Sequence, residues 1–411
     1  MQTQWRKLSV LSVAGALSWL GSSLTTFAVM LRDKDEIGAI GVSYYALAFA
    51  VPVIVLSPIS GWIADKFSTL TVLIPLLSIM GLSSMTLAFD LPLWWTPIAL
   101  IITATAGAPV GPAFQAAIVT ISNKDDLPRV NGLMQSSSSV GMLFAPALGG
   151  ILVKTTGYFW PFIIDAISFW LLALTVLMLG VNRKPVAHEK GEKMSALEGM
   201  KFAFGDPLIR AIVILLGVLI IALASVNVGE IFLAQDELGA DELIYGIIGA
   251  LFAGGSILGA VITAAVKLKP RFHGAAVVAS IALLTLCVTS MSLAPHWGYL
   301  MVLSLLAGFG NSGLNAYAIG IVMSRAPQAM LGRVNAAIGA VITTGSVLGM
   351  VIAGRAIDAF GVRPALLTGG LIAAGVLVVL APAVLRAGRE HRIEEPTESA
   401  EPIAQDKEPQ R

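Results

Sequence analysis

The sequence predicts an all-α membrane protein of twelve spanning helices, arranged as two related six-helix bundles. Three observations carry that prediction: composition, the recurrence of long apolar runs, and a repeat that relates the two halves. The 411 residues are 56% hydrophobic and 12% charged, with a mean hydropathy of +0.84. A soluble globular chain carries roughly 25% charge. Apolar surface on this scale calls for lipid as the solvent.

In the first half the apolar runs fall at 8–31, 38–60, 70–89, 96–120, 130–153 and 158–181. In the second they fall at 208–233, 242–266, 273–294, 297–323, 333–353 and 363–386. Each is long enough to cross a ~30 Å hydrocarbon core at about 1.5 Å per residue. The first run is too long for the apolar part of a cleaved signal peptide and lacks a small-residue cleavage site. The fourth is interrupted by Pro109, Pro112 and glycines. The expected organisation is a first bundle over 1–181, a polar central linker over 182–207, a second bundle over 208–387 and a disordered tail over 388–411. Within the linker, 195–204 has an amphipathic helical spacing that suits a membrane surface.

Charge placement predicts orientation. With the N-terminus in the cytoplasm, 21 of the 26 Lys and Arg residues fall on the cytoplasmic side. The remaining five (Arg32, Lys34, Lys154, Arg355 and Arg363) fall on the other. The positive-inside rule then places both termini in the cytoplasm of a cell (inner) membrane. A formal net charge of +1 gives no case for nucleic acid. Cys287 is the single cysteine, and the histidines at 188, 273, 296 and 391 are scattered. Neither a disulfide nor a metal site is expected. A cofactor is not expected either: there is no phosphate-cradling loop and no nucleophile–base pair. The chain is expected to be no enzyme and to act as a monomer in the bilayer.

The halves repeat one another. Leu127-Pro-Arg129-Val130-Asn131 recurs as Leu331-Gly-Arg333-Val334-Asn335, an offset of 204. At that offset Gly150 meets Gly354 and Gly157 meets Gly361. Both copies lie between the fourth and fifth span of their half. Parallel six-helix repeats of this kind build a transporter with its site between the halves, near the midplane.

Particular residues then resemble a known family. Gly61-Trp62-Ile63-Ala64-Asp65-Lys66-Phe67-Ser68 resembles the major facilitator loop signature, Gly-x-x-x-Asp-Arg/Lys-x-Gly-Arg/Lys-Arg/Lys. Its rear departs from the pattern, with Ser68, Thr69 and Leu70 in place of Gly and two basic residues. The resemblance gives Gly61, Asp65 and Lys66 a gating role; the plain alternative is an interfacial Asp-Lys that stops the helix. In the fifth span, Gly132, Gly141, Ala145, Pro146, Gly149 and Gly150 resemble the antiporter motif of major facilitator exporters, with Ala145 replacing one Gly. Small residues there permit close helix approach, and a proline permits a kink. Ordinary small-residue packing is the alternative. The stretches Ser18–Ala28, Asp165–Phe169 and Pro327–Asn335 resemble the enterobactin-exporter and macrolide-efflux branch. That resemblance implies export of a drug, macrolide-like compound or siderophore, driven by H+ antiport. Ser22 and Ser23 stand where related exporters place an acid, and the fourth span has no Arg.

Coupling to protons needs an acid that can change protonation near the cavity. Glu230 and Asp165 are the two acids set within apolar runs, and an intramembrane carboxylate is a functional hypothesis by default. For Asp165 the alternative is a carboxylate that bonds a neighbouring helix; for Glu230 it is an interfacial acid facing water. Gln115, Gln135, Asn227, Asn311 and Asn315 are candidate cavity amides, or else interhelical hydrogen-bonding groups. Asn227 lies three residues before Glu230, and Asn311 and Asn315 lie four apart, so each pair shares a helix face. Arg32 and Arg355 are expected to pair with Asp33 or Asp358. Two other functions compete with export: an uptake facilitator, or a lysophospholipid flippase of the same fold. The glycine–proline motif argues against uptake. The near absence of charge in the presumed cavity argues against sugar phosphates and polycarboxylates, which need Arg or Lys clamps. A receptor or intramembrane enzyme would need a soluble domain or a clustered catalytic pair.

Overall fold

In lipid every backbone polar group must be satisfied within its own segment, so an apolar run becomes a helix. The computed structural model describes residues 2–183, 205, 207–266, 268–269, 272–325 and 331–390, and among these no strand occurs. The first bundle holds α1 (Trp5–Lys66), α2 (Thr69–Thr86), α3 (Trp95–Gly107), α4 (Val110–Thr120), α5 (Leu127–Thr156) and α6 (Phe159–Leu179). The second holds α7 (Pro207–Phe232), α8 (Glu242–Ala265), α9 (His273–Met291), α10 (Trp297–Arg325), α11 (Leu331–Phe360) and α12 (Val362–Glu390).

Among the described residues, ten helical stretches are long and apolar enough to cross a membrane. The first of them, Trp5–Ser57, has 53 residues, twice the length of a single crossing. It is broken at Gly38, whose φ of 63° and ψ of −174° lie outside the helix. A residue with a Cβ is strained at that φ. The 29-residue α10 is a further crossing, its apolar content diluted by Asn311, Asn315 and its glycines. The described residues thus make twelve crossings.

The expected helices over 8–31 and 38–60 are the two arms of α1, joined at the non-helical Gly38 with no loop between them. Arg32 and Lys34 can stay helical because their charges are met. Arg32 donates to Asp33 at 2.7 Å, to the Leu87 carbonyl at 2.7 Å and to Thr96 at 2.9 Å. Lys34 reaches Asp35 at 2.6 Å and Asp236 at 2.5 Å. The fourth span breaks as expected, between α3 and α4, where Pro109 lacks the N–H that would continue the ladder. The seventh outruns its expected end: a π turn, Leu233–Glu237, prolongs α7. The proposed linker falls largely on 184–204, outside the described residues, as does its amphipathic stretch. The tail from 391 onward lies outside them too, whereas 388–390 belong to α12.

With lipid around them, helices associate through close packing rather than through exclusion from water. The α8–α10 pair illustrates this. A Cβ on Gly259 would lie 2.7 Å from the Phe309 carbonyl, and one on Gly255 or Gly308 would strike the partner's backbone directly. In the first bundle, buried Leu8, Leu11, Leu73, Leu77 and Ile118 form a continuous core. In the second, the core is built on Leu215, Leu219, Ile281, Leu300 and Leu366. Residues of each bundle join the other's packing at one end of the molecule. Ala39 and Val42 enter the second core, and Ile231 packs with Ala28, Leu31 and Phe162.

Candidate functional site

The end of the molecule that carries Gly38, Gly157, Gly239 and Gly361 is sealed by contacts between the bundles. Two helix pairs make the seal, α5 with α8 and the second arm of α1 with α11. On the first pair, the α-carbons approach so closely that a Cβ on Gly150 would stand 2.5 Å from the Glu242 carbonyl. A Cβ on Gly246 would strike the Pro146 carbonyl. Lys154 of α5 reaches Asp241 of the second bundle at 2.6 Å. Asp241 also caps α8, accepting the Ile244 N–H at 2.8 Å. The Lys154 ammonium and then that N–H hold the Asp241 carboxyl below the usual carboxylate range.

The second pair is built the same way. A Cβ on Gly354 would lie 2.8 Å from the Ala39 carbonyl. Ser43 donates to the Met350 carbonyl at 2.7 Å. Asp358 accepts the backbone N–H of Ala39 at 3.0 Å and of Ile40 at 3.1 Å, capping the arm that begins after Gly38. Asp358 was expected to pair with Arg32 or Arg355. The orphan N–H groups exposed by the Gly38 break claim it instead, while Arg32 takes Asp33 as expected. The sequence repeat thus has a spatial counterpart. Gly150 and Gly354 are the close-approach positions of the two pairs, and Gly157 (φ 74°) and Gly361 (φ 89°) end α5 and α11. Between the pairs, Phe27 stacks on Tyr245 across the bundles with centroids 5.4 Å apart.

Toward the termini the picture reverses. A Cβ on Gly61, Gly111 or Gly132 would meet open space. Two cavities lie on this side of the seal. In the second bundle, α7, α8, α9, α10 and α11 enclose about 350 Å³. Glu230, Asn227, Asn311 and Ser304 line it among leucines, isoleucines, valines, Met291 and Phe252. Ser304 donates to Glu230 Oε1 at 3.1 Å. The π turn places Glu230 about two turns inside the end of its helix, deeper than the expected end at 233 would put it. Asn315 is exposed and donates to the Asn311 carbonyl at 2.8 Å.

In the first bundle a cavity of about 370 Å³ is lined by Gln115, Gln135, Asn131, Ser12, Ser138, Trp19 and Phe114. Gln115 donates to Asn131 at 3.1 Å. Asp165 lines neither cavity. It is 1% exposed and takes Thr25 and Ser84 hydroxyls at 2.8 Å each, with Ser22 at 3.3 Å. The donors come from α1 and α2, so this carboxylate ties three helices together. Among the described residues no cluster of His, Cys, Asp and Glu is placed to hold a metal ion.

The two sequence motifs land in different settings. Asp65 is met by Arg183 at 2.8 Å, from the start of the linker. Arg183 supplies a cation that positions 69 and 70 lack, and nothing in the local spacing announces it. Lys66 lies over the Trp62 ring at 4.3 Å. On α5, Gly141 and Gly149 face the first arm of α1, at Ala16 and Phe27, whereas Pro146 and Gly150 face α8. Ala145 is buried at 1% exposure, where a glycine of the pattern would stand.

A model of the Major Facilitator Superfamily matches residues 11–265 and 214–409 of this chain. The chain is 25% identical over 410 residues to an uncharacterised MFS-type transporter, YfiS, of Bacillus subtilis, covering 93% of this chain and 94% of that one. It is 27% identical over 281 residues to the enterobactin exporter EntS of Shigella boydii, covering 68% and 67%. Among solved structures, a bacterial homologue of the human lysosomal transporter Spinster, in an inward-facing and unoccupied conformation, superposes with a TM-score of 0.70. Identity there is 14%, with 93% and 96% covered. An inward-facing bacterial homologue of the iron transporter ferroportin gives 0.65 at 16% identity, with 92% and 100% covered.

Proposed function

Because the chain belongs to the Major Facilitator Superfamily, and is a multi-span transporter of that fold, we propose that it exports a hydrophobic or amphiphilic small molecule by alternating access with proton antiport. The observation that carries this reading is Glu230. It is an acid on the wall of an apolar cavity, beside Asn227, Asn311 and Ser304, and among the described residues no basic side chain lines that wall. A carboxylate so placed can exchange a proton with the cavity, and an apolar wall suits an apolar cargo.

The charge bias puts the termini in the cytoplasm. The open end then faces the cytoplasm and the sealed end faces outward, which is the loading state of an exporter. The two glycine-lined helix pairs act as the outer gate, and Gly141, Ala145, Pro146 and Gly149 let α5 rock against α1. Asp65, Lys66 and Arg183 belong to the inner gate. Likeness to a relative named as an enterobactin exporter supports export over uptake. Glu230 is the coupling acid of this reading; Asp165 pins the first bundle.

Cargo accumulation in cells with and without the protein tests it, using a panel of amphiphiles and repeating the measurement after the proton gradient is collapsed. Export predicts lower accumulation that depends on the gradient and is lost in Glu230→Gln. Efflux of a panel compound by Glu230→Gln at the wild-type rate would remove Glu230 from the mechanism. Equal accumulation with and without the protein, across the panel, would remove export.

A further inference from the structure

The two cavities differ in chemistry, and the difference bears on the charge of the cargo. The second-bundle cavity is walled by Leu219, Ile220, Leu223, Val226, Met291 and Ile342, an enclosure suited to a hydrocarbon chain or ring. One ionisable group interrupts that wall, Glu230. Its Oε1 accepts from Ser304, and among the described residues no Lys, Arg or His lines either cavity. An ionised carboxylate in apolar surroundings needs a cation or several donors. One hydroxyl falls short of that.

Four of the five cations at the neighbouring sealed end are engaged elsewhere: Lys34 with Asp35 and Asp236, Arg32 with Asp33, Lys154 with Asp241, and Arg363 with Glu237; the fifth, Arg355, is exposed and lines neither cavity. We propose that the cargo brings the missing cation. On this assignment, which rests on the transport reading above, the substrate is a monocationic amphiphile. Its protonated amine pairs with Glu230, and its apolar body fills the second-bundle cavity. The first-bundle cavity offers Trp19 with Gln115, Asn131 and Gln135, an aromatic plane among uncharged donors and acceptors. That cavity takes a neutral polar part of the same molecule. An anionic cargo would meet a like charge at Glu230 and no Arg or Lys clamp among the described residues that line the two cavities.

The test uses the purified full-length chain and three fluorescent probes. They share one apolar body and end in a tertiary amine, a primary amide or a carboxylate. The amine probe is expected to bind at least about tenfold tighter than the amide at neutral pH, the lower end of what a charge-assisted hydrogen bond contributes. The carboxylate probe is expected to bind weakest. Glu230→Gln should bring the amine down to the amide's affinity, and Glu230→Asp should keep part of the preference; size-exclusion profiles and thermal transitions establish that both are folded. Equal binding of amine and amide to the wild type would overturn the assignment, as would retention of the full amine preference in Glu230→Gln. Transport of the three probes into everted vesicles separates this from the function itself. Transport without amine preference overturns the cargo assignment alone. Selective amine binding with no probe transported keeps the assignment and overturns export.

Discussion

Gly150→Ala isolates the seal. In the closed arrangement the new Cβ would stand 2.5 Å from the Glu242 carbonyl and 3.1 Å from the Leu243 Cα. Ordinary contact begins at 3.4 Å, so α5 and α8 must separate by about 0.9 Å at this point. The obstacle is backbone rather than a flexible side chain, so the strain cannot be relieved by a rotamer change. Overpacking of this kind costs about 1–3 kcal/mol. The α5 helix itself gains from the change, since Ala exceeds Gly in helix propensity by about 0.8–1 kcal/mol, so folding is not the casualty. The penalty falls only on the state in which α5 and α8 touch. The closed-to-open ratio should then drop by a factor of about 5–150. Ala240, 5% exposed beside the seal, reports this when changed to Cys, because the native Cys287 is buried. Labelling of that thiol by a membrane-impermeant reagent should accelerate at least about fivefold in Gly150→Ala. A labelling rate within twofold of the parent, in folded protein, would refute the packing argument.

Two further outcomes follow from named contacts. The lowered Asp241 carboxyl, paired with Lys154, contributes to closure above the ordinary carboxylate value of about 3.9 and loses that contribution as pH falls through its lowered value. Spin-label distances across the α5 and α8 ends should therefore stay constant from pH 7 to 5 and widen only below about 4; Asp241→Asn should abolish that acid response, and an unaltered response would exclude this pair as its origin. Asp165→Asn should lower the thermal transition, through about 1–3 kcal/mol of disturbed buried hydrogen bonding, while gradient-driven efflux persists; an unmoved transition with lost coupling would reverse the roles given to Asp165 and Glu230.

What the sequence made legible follows from periodicity and spacing. Apolar length located the spans, and the offset between Gly150 and Gly354 picked out the close-approach position of both sealing pairs. Helical spacing brought Asn227 to Glu230 and Asn311 to Asn315. The cavity formed by three of these residues also required α7 and α10 to face each other. The rest depended on contacts far apart in the chain. Lys34 with Asp236, Lys154 with Asp241, and Asp65 with Arg183 each join different segments, and no local pattern pairs them. Asp165 and Glu230 read alike in sequence, both acids in apolar runs. Three hydroxyls from neighbouring helices enclose one and a single serine attends the other. Residues 32–37 read as a loop between two spans, because what lets Arg32 and Lys34 stay helical lies far away in the chain, at Leu87, Thr96 and Asp236.

Proton movement in proteoliposomes tests the central claim most directly. With an exported amphiphile loaded on the side of the termini and a pH reporter in the opposite compartment, addition of cargo should drive a stoichiometric proton flux against the cargo's direction. Glu230→Gln should abolish that flux. Cargo movement with no accompanying proton flux, or a flux unchanged in Glu230→Gln, would contradict the account.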